Sequence, residues 1–414
     1  MKVTIAGGGV IGLCSAYYLS KVGYSVTVVD RNTITDGCSF GNMGYISPSH
    51  FIPLATPGIV SQGLRWMMNA SSPFYIKPRL SSDLIRWGWQ FRKNATAAKV
   101  KENAPHLNNL LQLSRELMND LKQEFQDAFD MMEKGCWMLY KYEKTGDHEK
   151  ELAEQAHRFG LKTIICTPQQ VQQYEPEVEV SVAGGVLYLD DCHLNPAKFM
   201  QTLFSYLKNA GVSFWLNTTI TGFEQNNGKV TTVLTDKGTL PCEELVIANG
   251  SWLPQLSALL GIRLLLQPGK GYSMVYENLA KNLQYPSILV DDRTATSPIH
   301  RWLRIGGTME LSGHSHTVLP KRVQAIYQAF KKYYPSLQLP QPDLQKVWYG
   351  YRPVTPDGLP YIGRHSHCKN VTVAGGHAML GVSAAAATGK LVNEILSGRQ
   401  PSIAINAFRP ERFR

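Results

Sequence analysis

The sequence predicts a mixed α/β fold that begins with a Rossmann-type unit. An apolar, β-branched strand over residues 3–6 runs through a glycine-rich turn into a helix over residues 10–22. A second strand over residues 25–29 follows and ends in Asp30. Strands that alternate with helices in this way are typical of a parallel sheet covered by helices.

The glycine-rich turn carries the pattern G-x-G-x-x-G, with Gly7, Gly9 and Gly12 as its glycines. Gly7 permits the tight turn, Gly9 lets a pyrophosphate approach the backbone, and Gly12 lets the helix pack closely on the strand. Free N–H groups at the start of the helix, beginning at Val10 and Ile11, favour a bound anion. The turn therefore predicts a dinucleotide site, with an ordinary glycine turn as the alternative.

Asp30 supports the dinucleotide interpretation. It stands at the end of the second strand, where a carboxylate can accept hydrogen bonds from the ribose hydroxyls of an adenosine.

Three further loops of small residues favour FAD over NAD, because a long dinucleotide needs close backbone approach at several places. They cover residues 37–44 (GCSFGNMG), residues 249–252 after a strand over 245–248, and residues 375–381 after a strand over 371–374. Each loop alone is equally well explained as a tight turn.

Composition excludes several classes of protein. The chain has 414 residues, 43% of them hydrophobic and 18% charged, which indicates two globular domains and excludes general disorder, collagen and coiled coil. Its seven cysteines include no C-x-x-C pair. We therefore expect no disulfide scaffold, no metal site and a reducing, cytoplasmic location. The net charge of +10 favours anionic ligands or an acidic membrane face. Nucleic acid is not an expected partner, because no reader motif accompanies the charge.

Residues 62–93 interleave aromatic or methionine side chains with basic ones. They are Trp66, Met67, Met68, Phe74, Tyr75, Trp87, Trp89 and Phe91, together with Arg65, Lys77, Arg79, Arg86, Arg92 and Lys93. One interpretation is a helical layer with an aromatic core, and the other is a peripheral contact with the inner face of an anionic membrane. No segment is continuously apolar enough to predict a membrane span.

Five segments together resemble the D-amino-acid oxidase superfamily, which includes glycine and sarcosine oxidases. They read GGGVIG…VVDR, GCSFGNMG, VIANGSW, YRPVTPDGLPYIG and AGGHAMLGVSAAAATG. Because they touch both ends and the middle, the resemblance covers essentially the whole chain. Within the superfamily the chain is most similar to bacterial D-amino-acid dehydrogenases, including enzymes for cyclic imino acids such as D-hydroxyproline.

The resemblance implies a Rossmann-type FAD-binding domain with a discontinuous antiparallel-sheet substrate domain. Residues 1–46, 193–262 and 346–414 would form the former, and residues 47–192 and 263–345 the latter. The implied FAD contacts are Gly7, Gly9, Val10, Ile11, Gly12, Asp30, Arg31, Ser39, Asn42, Met43, Gly44, Ile220, Ala248, Asn249, Gly250, Trp252, Gly376, His377, Met379, Leu380 and Gly381.

The remaining elements are read from local pattern. We expect helices over residues 107–129, 196–210 and 384–396. Strands are expected over residues 137–142, 212–216, 273–277 and 303–306, and from near residue 347. The turn at residues 226–228 predicts a hairpin between strands over 218–223 and 229–234.

Four residues are candidates for substrate contact. Arg352, in Tyr351-Arg352-Pro353, matches the family's L-R-P motif, whose arginine binds the substrate carboxylate through two parallel hydrogen bonds. Tyr272 is a second candidate, with core packing as an equal alternative. His50 and His377 would line the pocket, each with a purely structural histidine as its alternative. A structural ion pair is the alternative for Arg352.

The flavin linkage follows from a departure from the family pattern. Sarcosine oxidases of this superfamily hold flavin covalently through a cysteine near the strand that precedes the C-terminal motif. Residues 348–351 read WYGY here, so we expect FAD to be bound non-covalently.

The implied reaction is oxidation of an amino acid by hydride transfer from Cα to FAD, with electrons passed to a carrier or quinone. Two alternatives stay open, an oxygen-using glycine- or sarcosine-type oxidase and a non-catalytic electron-transfer subunit. Arg352 and the full-length substrate domain argue against the subunit.

Overall fold

Two β-sheets organise the chain in this computed structural model, which describes residues 1–67, 72–79 and 81–413. The strands of the first sheet are β1 (Lys2–Ala6), β2 (Ser25–Val29), β9 (Ser213–Trp215), β13 (Glu244–Ile247), β19 (Tyr361–Arg364) and β20 (Val371–Gly375). Their order is β19-β20-β13-β1-β2-β9, and β19 alone runs antiparallel to its neighbour. The parallel sheet predicted from the N-terminal unit is confirmed.

Three helices cover the first sheet: α1 (Val10–Lys21), α7 (Pro196–Asn209) and α10 (Ala385–Leu396). Helix α1 contacts both of the others and is buried around most of its circumference, as its nearly continuous apolar sequence requires. Helices α1 and α10 approach so closely that a Cβ on Gly389 would lie 2.6 Å from the Cys14 carbonyl oxygen.

A small antiparallel sheet of β10 (Ile220–Asn226), β11 (Lys229–Thr235) and β12 (Gly238–Pro241) adjoins this layer. The predicted hairpin joins β10 to β11, with Asn227 and Gly228 at positive φ (50° and 73°). Positive φ at both loop positions is the type I′ geometry that Asn-Gly favours.

The second sheet is mostly antiparallel and larger. Its strands are β4 (Phe74–Ile76), β5 (Cys136–Tyr140), β6 (Thr163–Cys166), β7 (Gly184–Tyr188), β14 (Gln267–Tyr276), β15 (Ser287–Leu289), β16 (Thr294–Ile299), β17 (Trp302–Leu311) and β18 (Trp348–Val354). Their order is β18-β14-β17-β16-β15-β5-β7-β6, with β4 beside β17. A separate pair, β3 (Tyr45–Ile46) and β8 (Cys192–His193), lies where the chain passes between the two sheets.

The other helices are α2 (Ile59–Met67), α3 (Ser82–Asn94), α4 (Ala97–Glu124), α5 (Glu143–Arg158), α6 (Pro168–Tyr174), α8 (Leu253–Ala258) and α9 (Pro320–Tyr333). Helix α9 packs on the second sheet through Tyr327, Phe330 and Tyr333. Short 3₁₀ turns span Gly250–Trp252 and Asn406–Phe408. Within the part of the chain that the structure describes, no helix combines the length and apolar character needed to cross a bilayer.

The predicted boundaries of three elements were clearly wrong: α4, β14 and β17, which spans Trp302–Leu311 rather than 303–306. Helix α4 begins at Ala97 rather than 107, because the Thr96 side chain accepts a hydrogen bond from the Lys99 N–H and Pro105 is accommodated inside the helix. Strand β14 begins at Gln267 rather than 273, because β17 and β18 pair with it on both sides. Local pattern does not show such pairing.

Strand β18 lies in a segment assigned above to the FAD-binding domain, yet its ladder is formed with β14 of the second sheet, and only Val354 forms an isolated bridge to His377 in the described part of the chain. The strands of the first sheet do come from residues 1–46, 193–262 and 346–414. The domain boundaries themselves stay a prediction.

A buried ionic cluster connects β14, β17 and α9. Glu310 lies 3.3 Å from the Lys270 ammonium and 3.4 Å from the Arg322 guanidinium, and all three residues are almost completely buried. Lys270 also donates to the carbonyls of Ser315 (3.1 Å) and Thr317 (2.5 Å). The cluster therefore anchors residues 315–317 to the sheet.

We expect Glu310→Ala to lower the free energy of unfolding by about 3–5 kcal/mol, because it leaves two buried cations without their anion. Urea denaturation followed by circular dichroism measures the change. The control is Asp292→Ala, which removes the more exposed pair with Lys332 (3.0 Å) and should cost at most about 1 kcal/mol. Equal losses in the two variants would contradict the stabilising role of the cluster.

Candidate functional site

A cavity of about 1530 Å³ opens between the two sheets. It exceeds the roughly 300–1,000 Å³ of pockets for drug-sized ligands, so it has room for a dinucleotide and a small substrate. Its walls include the β1–α1 turn, residues 36–39 and 41–45, the turn after β13 and part of β18. All the predicted site residues line it except Gly12 and Gly376.

The β1–α1 turn has the geometry that its glycines predict. Gly7 has a φ of 115°, and a Cβ on Gly12 would overlap the Gly7 carbonyl oxygen. Gly12 therefore acts through close packing of helix on strand, which explains its absence from the cavity wall. The Val10 N–H at the start of α1 donates to Ser39 Oγ (3.0 Å). The second glycine-rich segment thus meets the first at the predicted anion site.

Asp30 and Arg31 lie at the end of β2 on the same wall. The Asp30 carboxylate accepts hydrogen bonds from the N–H groups of Gly8 (2.6 Å) and Asn32 (2.9 Å). Burial raises the Asp30 pKa, and these two bonds partly offset that rise. The Arg31 guanidinium lies 3.8 Å from the ring centroid of Trp252, so two predicted cofactor-binding loops meet across the cavity.

Residues 37–44 connect the two sheets, and Asn42 braces them internally. Its amide donates to the Ser39 carbonyl (2.7 Å), and its Oδ1 accepts from the Gly44 N–H (2.8 Å). From the second sheet, Ser273 donates to the Gly41 carbonyl (3.1 Å) and Arg304 donates to the Asn42 carbonyl. These hydrogen bonds attach residues 37–44 to the second sheet, and the bond to Ser39 attaches them to α1. The segment therefore lies in the middle of the cavity wall.

The turn after β13 leaves a polar atom without a partner. Among the described residues, Asn249 Oδ1 is buried with no hydrogen-bond donor, although its Nδ2 donates to the Trp252 carbonyl (3.0 Å). Ala248, Gly250 and Ile220 line the same wall. Three groups of this wall fit the polar groups of FAD: the unpaired Asn249 oxygen, the N-terminus of α1 and the Asp30 carboxylate.

The turn after β20 brings His377, Met379, Leu380 and Gly381 to the cavity. His377 Nε2 lies 2.9 Å from Thr388 Oγ1 in α10, and burial lowers the His377 pKa to about 3. Its ring is therefore a neutral structural element at neutral pH. Gly376 has a φ of 81° and supplies the turn rather than a wall.

Arg352 presents a buried positive charge to the cavity from β18. Its Nη1 donates to the Thr308 carbonyl (2.7 Å), and a Cβ on Gly271 would overlap the guanidinium. Burial lowers the Arg352 pKa to about 10, which leaves the side chain charged at neutral pH. In the described ranges no carboxylate forms an ion pair with it. The structural ion pair offered as the alternative is therefore not found there.

Thr308 is a cavity residue that sequence reasoning missed. Its φ is 66°, a left-handed conformation that a β-branched residue rarely adopts, and its Oγ1 is buried without a described partner. Such strain is found at functional sites that the surrounding fold holds in place. Here it turns the Thr308 carbonyl towards Arg352.

Cys38 was also missed. It lines the cavity, and its Cβ lies 2.9 Å from the place where a Cβ on Gly350 of β18 would stand. The Cys38 thiol therefore lies beside β18, a strand whose own sequence contains no cysteine. A segment distant in the sequence brings it there. Burial raises the Cys38 pKa, which keeps the thiol protonated, although the nearby Arg352 charge lowers it.

His50 lines the cavity together with Ser49, which connects it to a buried carboxylate. Ser49 Oγ donates to Asp191 Oδ2 (2.6 Å) and lies 3.0 Å from His50 Nδ1. Burial lowers the His50 pKa to about 4 and raises the Asp191 pKa to about 7. Sequence reasoning missed Ser49 and Asp191, for which the local sequence offers no signal.

Tyr272 lines the cavity, but its hydroxyl bonds within the core, in keeping with the core-packing alternative. Its hydroxyl donates to Glu310 Oε1 (2.8 Å) and accepts from the Leu319 N–H (3.2 Å), so it belongs to the buried ionic cluster. The side chain is 1% exposed. Strand alternation explains the difference, because Gly271 and Ser273 meet Arg352 and Gly41 while Tyr272 points to the opposite face.

Some side chains of residues 62–93 are buried, as a helical layer with an aromatic core predicts, and others are exposed, as a membrane contact requires. Trp87 is buried, stacks on Phe91 (4.9 Å) and donates to the Val354 carbonyl (2.9 Å). On the other side of α3, Ile85 is 65% exposed and Trp89 is 55% exposed, and Lys93 Nζ lies 3.4 Å from the Trp89 ring centroid. Met68 lies outside the described residues.

Comparison with known proteins places this geometry in a family. The chain is 32% identical to a D-amino acid dehydrogenase of Granulibacter bethesdensis over 413 residues, with 97% of each chain covered. It is 32% identical to a D-amino acid dehydrogenase of Vibrio vulnificus over 416 residues, again with 97% of each covered.

Solved structures share the fold. A glycine oxidase from Geobacillus kaustophilus superposes with a TM-score of 0.77 at 22% identity, covering 99% of this chain and 98% of the other. An L-proline dehydrogenase from P. horikoshii gives 0.78 at 19% identity, covering 100% and 97%.

The model of one family, described as FAD dependent oxidoreductase, matches residues 2–395. Together with the relatives above 30% identity and a cavity whose walls fit a dinucleotide, this match shows that the chain belongs to the FAD-dependent oxidoreductase family and is an FAD-dependent enzyme.

Proposed function

We propose that this enzyme oxidises an amino acid, specifically a D-amino acid or a cyclic imino acid of the proline or hydroxyproline type. The half-buried Arg352 guanidinium carries the proposal, because a partly desolvated cation that faces the cavity with no described acidic partner needs an anion in the same cavity as the flavin. The carboxylate of an amino acid supplies it. The names of the relatives, D-amino acid dehydrogenase, support the D configuration.

The side chains around Arg352 orient the substrate. FAD, when bound, accepts the hydride that leaves Cα. Arg352 would hold the carboxylate by two parallel hydrogen bonds, and the Thr308 carbonyl and Gly271 backbone would hold the guanidinium in place. His50 lines the same cavity and is the remaining candidate for contact with substrate.

The cofactor would be held by the four loops described above, with residues 1–46, 193–262 and 346–414 as the FAD-binding domain. The direct contacts would be the predicted ones that line the cavity, with Gly12 and Gly376 shaping the turns.

The electron acceptor would be a quinone or a protein carrier. The cavity extends to an apolar wall that includes Ile59, Val60, Phe74, Trp87 and Phe91 near the exposed face of α3. An apolar acceptor could enter there. An oxygen-using oxidase is the second candidate, supported by the shared fold of glycine oxidase.

We expect Arg352→Ala to lower kcat/KM for a D-amino acid by about 30-fold to several thousand-fold, since removing one partner of a desolvated charge pair costs about 2–5 kcal/mol. Arg352→Lys should fall between wild type and Ala, because it keeps the charge but loses the planar fork. Flavin-normalised kinetics on the acid and on its carboxamide measure the effect.

The matched control is Arg301→Ala, which removes an exposed arginine on the β16–β17 turn. Wild type and this control should prefer the acid over the carboxamide strongly, and Arg352→Ala should nearly lose that preference. Preserved discrimination in Arg352→Ala would place the carboxylate site elsewhere.

FAD should be released unmodified when the holoenzyme is precipitated with acid, because desolvation raises the pKa of the half-buried Cys38 thiol and so makes it a poor nucleophile. Flavin fluorescence of supernatant and pellet measures release. Flavin that stays with the pellet in wild type but leaves it in Cys38→Ser would instead identify a covalent link.

Peripheral membrane contact would use the exposed α3 face with Ile85 and Trp89. We expect flotation with anionic liposomes at low salt, weaker flotation at high salt, and loss of binding in a Trp89→Ser, Lys93→Ser double variant. Replacing the exposed Lys346, on the loop before β18, serves as the charge control. Absent or salt-independent binding would leave this face as ordinary surface.

A further inference from the structure

We propose that Asp191, Ser49 and His50 form a proton relay into the cavity and take up the proton that a bound substrate ammonium loses before oxidation. This inference rests on the proposed function. It goes beyond it by assigning a general base where the carboxylate-binding arginine alone supplies none. His50 would touch the substrate, and Ser49 and Asp191 would act through it.

The relay is continuous in its hydrogen bonds. Asp191 Oδ2 accepts from Ser49 Oγ at 2.6 Å, and Ser49 Oγ lies 3.0 Å from His50 Nδ1. Asp191 Oδ1 accepts from the Ser49 N–H at 3.1 Å, which fixes the serine against the carboxylate. The other ring nitrogen of His50, Nε2, has no hydrogen-bond partner among the described residues, and the residue lines the cavity.

The proton transfers balance along this chain. The substrate ammonium gives a proton to His50 Nε2, and the N–H on His50 Nδ1 passes its proton to Ser49 Oγ. The Ser49 hydroxyl passes its own proton to Asp191. The imidazole changes tautomer, the carboxylate becomes a carboxylic acid, and no electrons move in these steps.

The pKa values of His50 and Asp191, the two ends of the relay, suit proton transfer at neutral pH. His50 is neutral, because burial holds its pKa near 4, and so it can accept and pass a proton at once. Burial raises the Asp191 pKa to about 7, against the bonds from Ser49 that lower it. Asp191 is therefore a usable base above about pH 7 and is protonated below it.

Other groups face Asp191 from each neighbouring element. They are Tyr45 of β3, Cys136 of β5, Tyr188 of β7, Asp190 and Cys192. Burial raises the pKa of each tyrosine and cysteine.

A second buried carboxyl group lies close by and must be tested separately. Glu149 of α5 lines the cavity, is 6% exposed and has a pKa that burial raises to about 7. Its charge and that of Asp191 both raise the Tyr188 pKa, so both carboxyl groups lie near that ring. Glu175, whose pKa burial also raises to about 7, does not line the cavity.

The experiment is anaerobic stopped-flow reduction of the holoenzyme flavin by a D-amino acid from pH 5.5 to 9 (roughly the range that brackets the base's titration). Wild-type reduction should rise with pH through an apparent pKa near 7, since the unprotonated relay is the active form. Asp191→Asn, which keeps the side-chain size and one of the two acceptor oxygens that Ser49 uses, should be about 10²-fold slower at pH 8 and flat with pH. His50→Gln and Ser49→Ala should behave alike.

Two variants serve as controls. Asp190→Asn removes the adjacent carboxylate, which accepts from the Lys162 N–H (2.6 Å); it should keep the pH dependence but move its midpoint to lower pH, because the Asp190 charge raises the Asp191 pKa. Glu149→Gln should keep the pH dependence. If Glu149→Gln flattens the profile while Asp191→Asn does not, the relay is refuted in favour of Glu149.

A readout without turnover completes the test. Infrared difference titration of substrate-free holoenzyme should show carboxyl groups that titrate near pH 7, from Asp191, Glu149 and Glu175. The Asp191 component should be lost in Asp191→Asn and kept in Glu149→Gln. If no amine reduces the wild-type flavin at any pH, the proposed function fails. Reduction with the wild-type pH profile in Asp191→Asn, His50→Gln or Ser49→Ala overturns the relay alone.

Discussion

The site depends on a guanidinium buried without a described counter-ion. Position 271 must be glycine to hold Arg352 in that place, because a Cβ there would overlap the guanidinium. Thr308 must adopt a strained backbone conformation, because its carbonyl accepts the hydrogen bond from Arg352. Gly271 and Thr308 lie on β14 and β17, strands of the second sheet that are paired on each side. The paired strands supply the rigidity that keeps an unneutralised charge directed into the cavity.

The charged side chains inside the protein form two groups, those paired with an opposite charge and those without one. Lys270 and Arg322 share Glu310, and their remaining donors reach backbone carbonyls, so that cluster is internally neutralised and structural. Among the described residues, Arg352 and Asp191 have no oppositely charged partner of this kind; Arg352 lines the cavity, and Asp191 adjoins it through Ser49. Because burying an unpaired charge is costly, its retention beside a ligand-sized space points to function rather than stability.

Residues 37–44 make one site out of two sheets. Ser39 accepts a hydrogen bond from the N-terminus of α1, and Gly41 and Asn42 offer carbonyls to Ser273 and Arg304 of the second sheet. A segment held from both sides positions the proposed flavin and substrate sites relative to each other. Cys38, at its start, is brought against β18 by the same contacts.

The sequence by itself determined the features that short-range chemistry dictates. The β1–α1 turn, the Asn227-Gly228 hairpin and the parallel first sheet follow from glycine conformation and apolar periodicity, and the structure contains them. Only the tertiary structure decided which face of a strand meets the cavity and which distant residues share it. It turned Tyr272 into the core and brought Asp191 to His50 through Ser49, because strand pairing and long-range packing, which leave no local pattern, set those contacts.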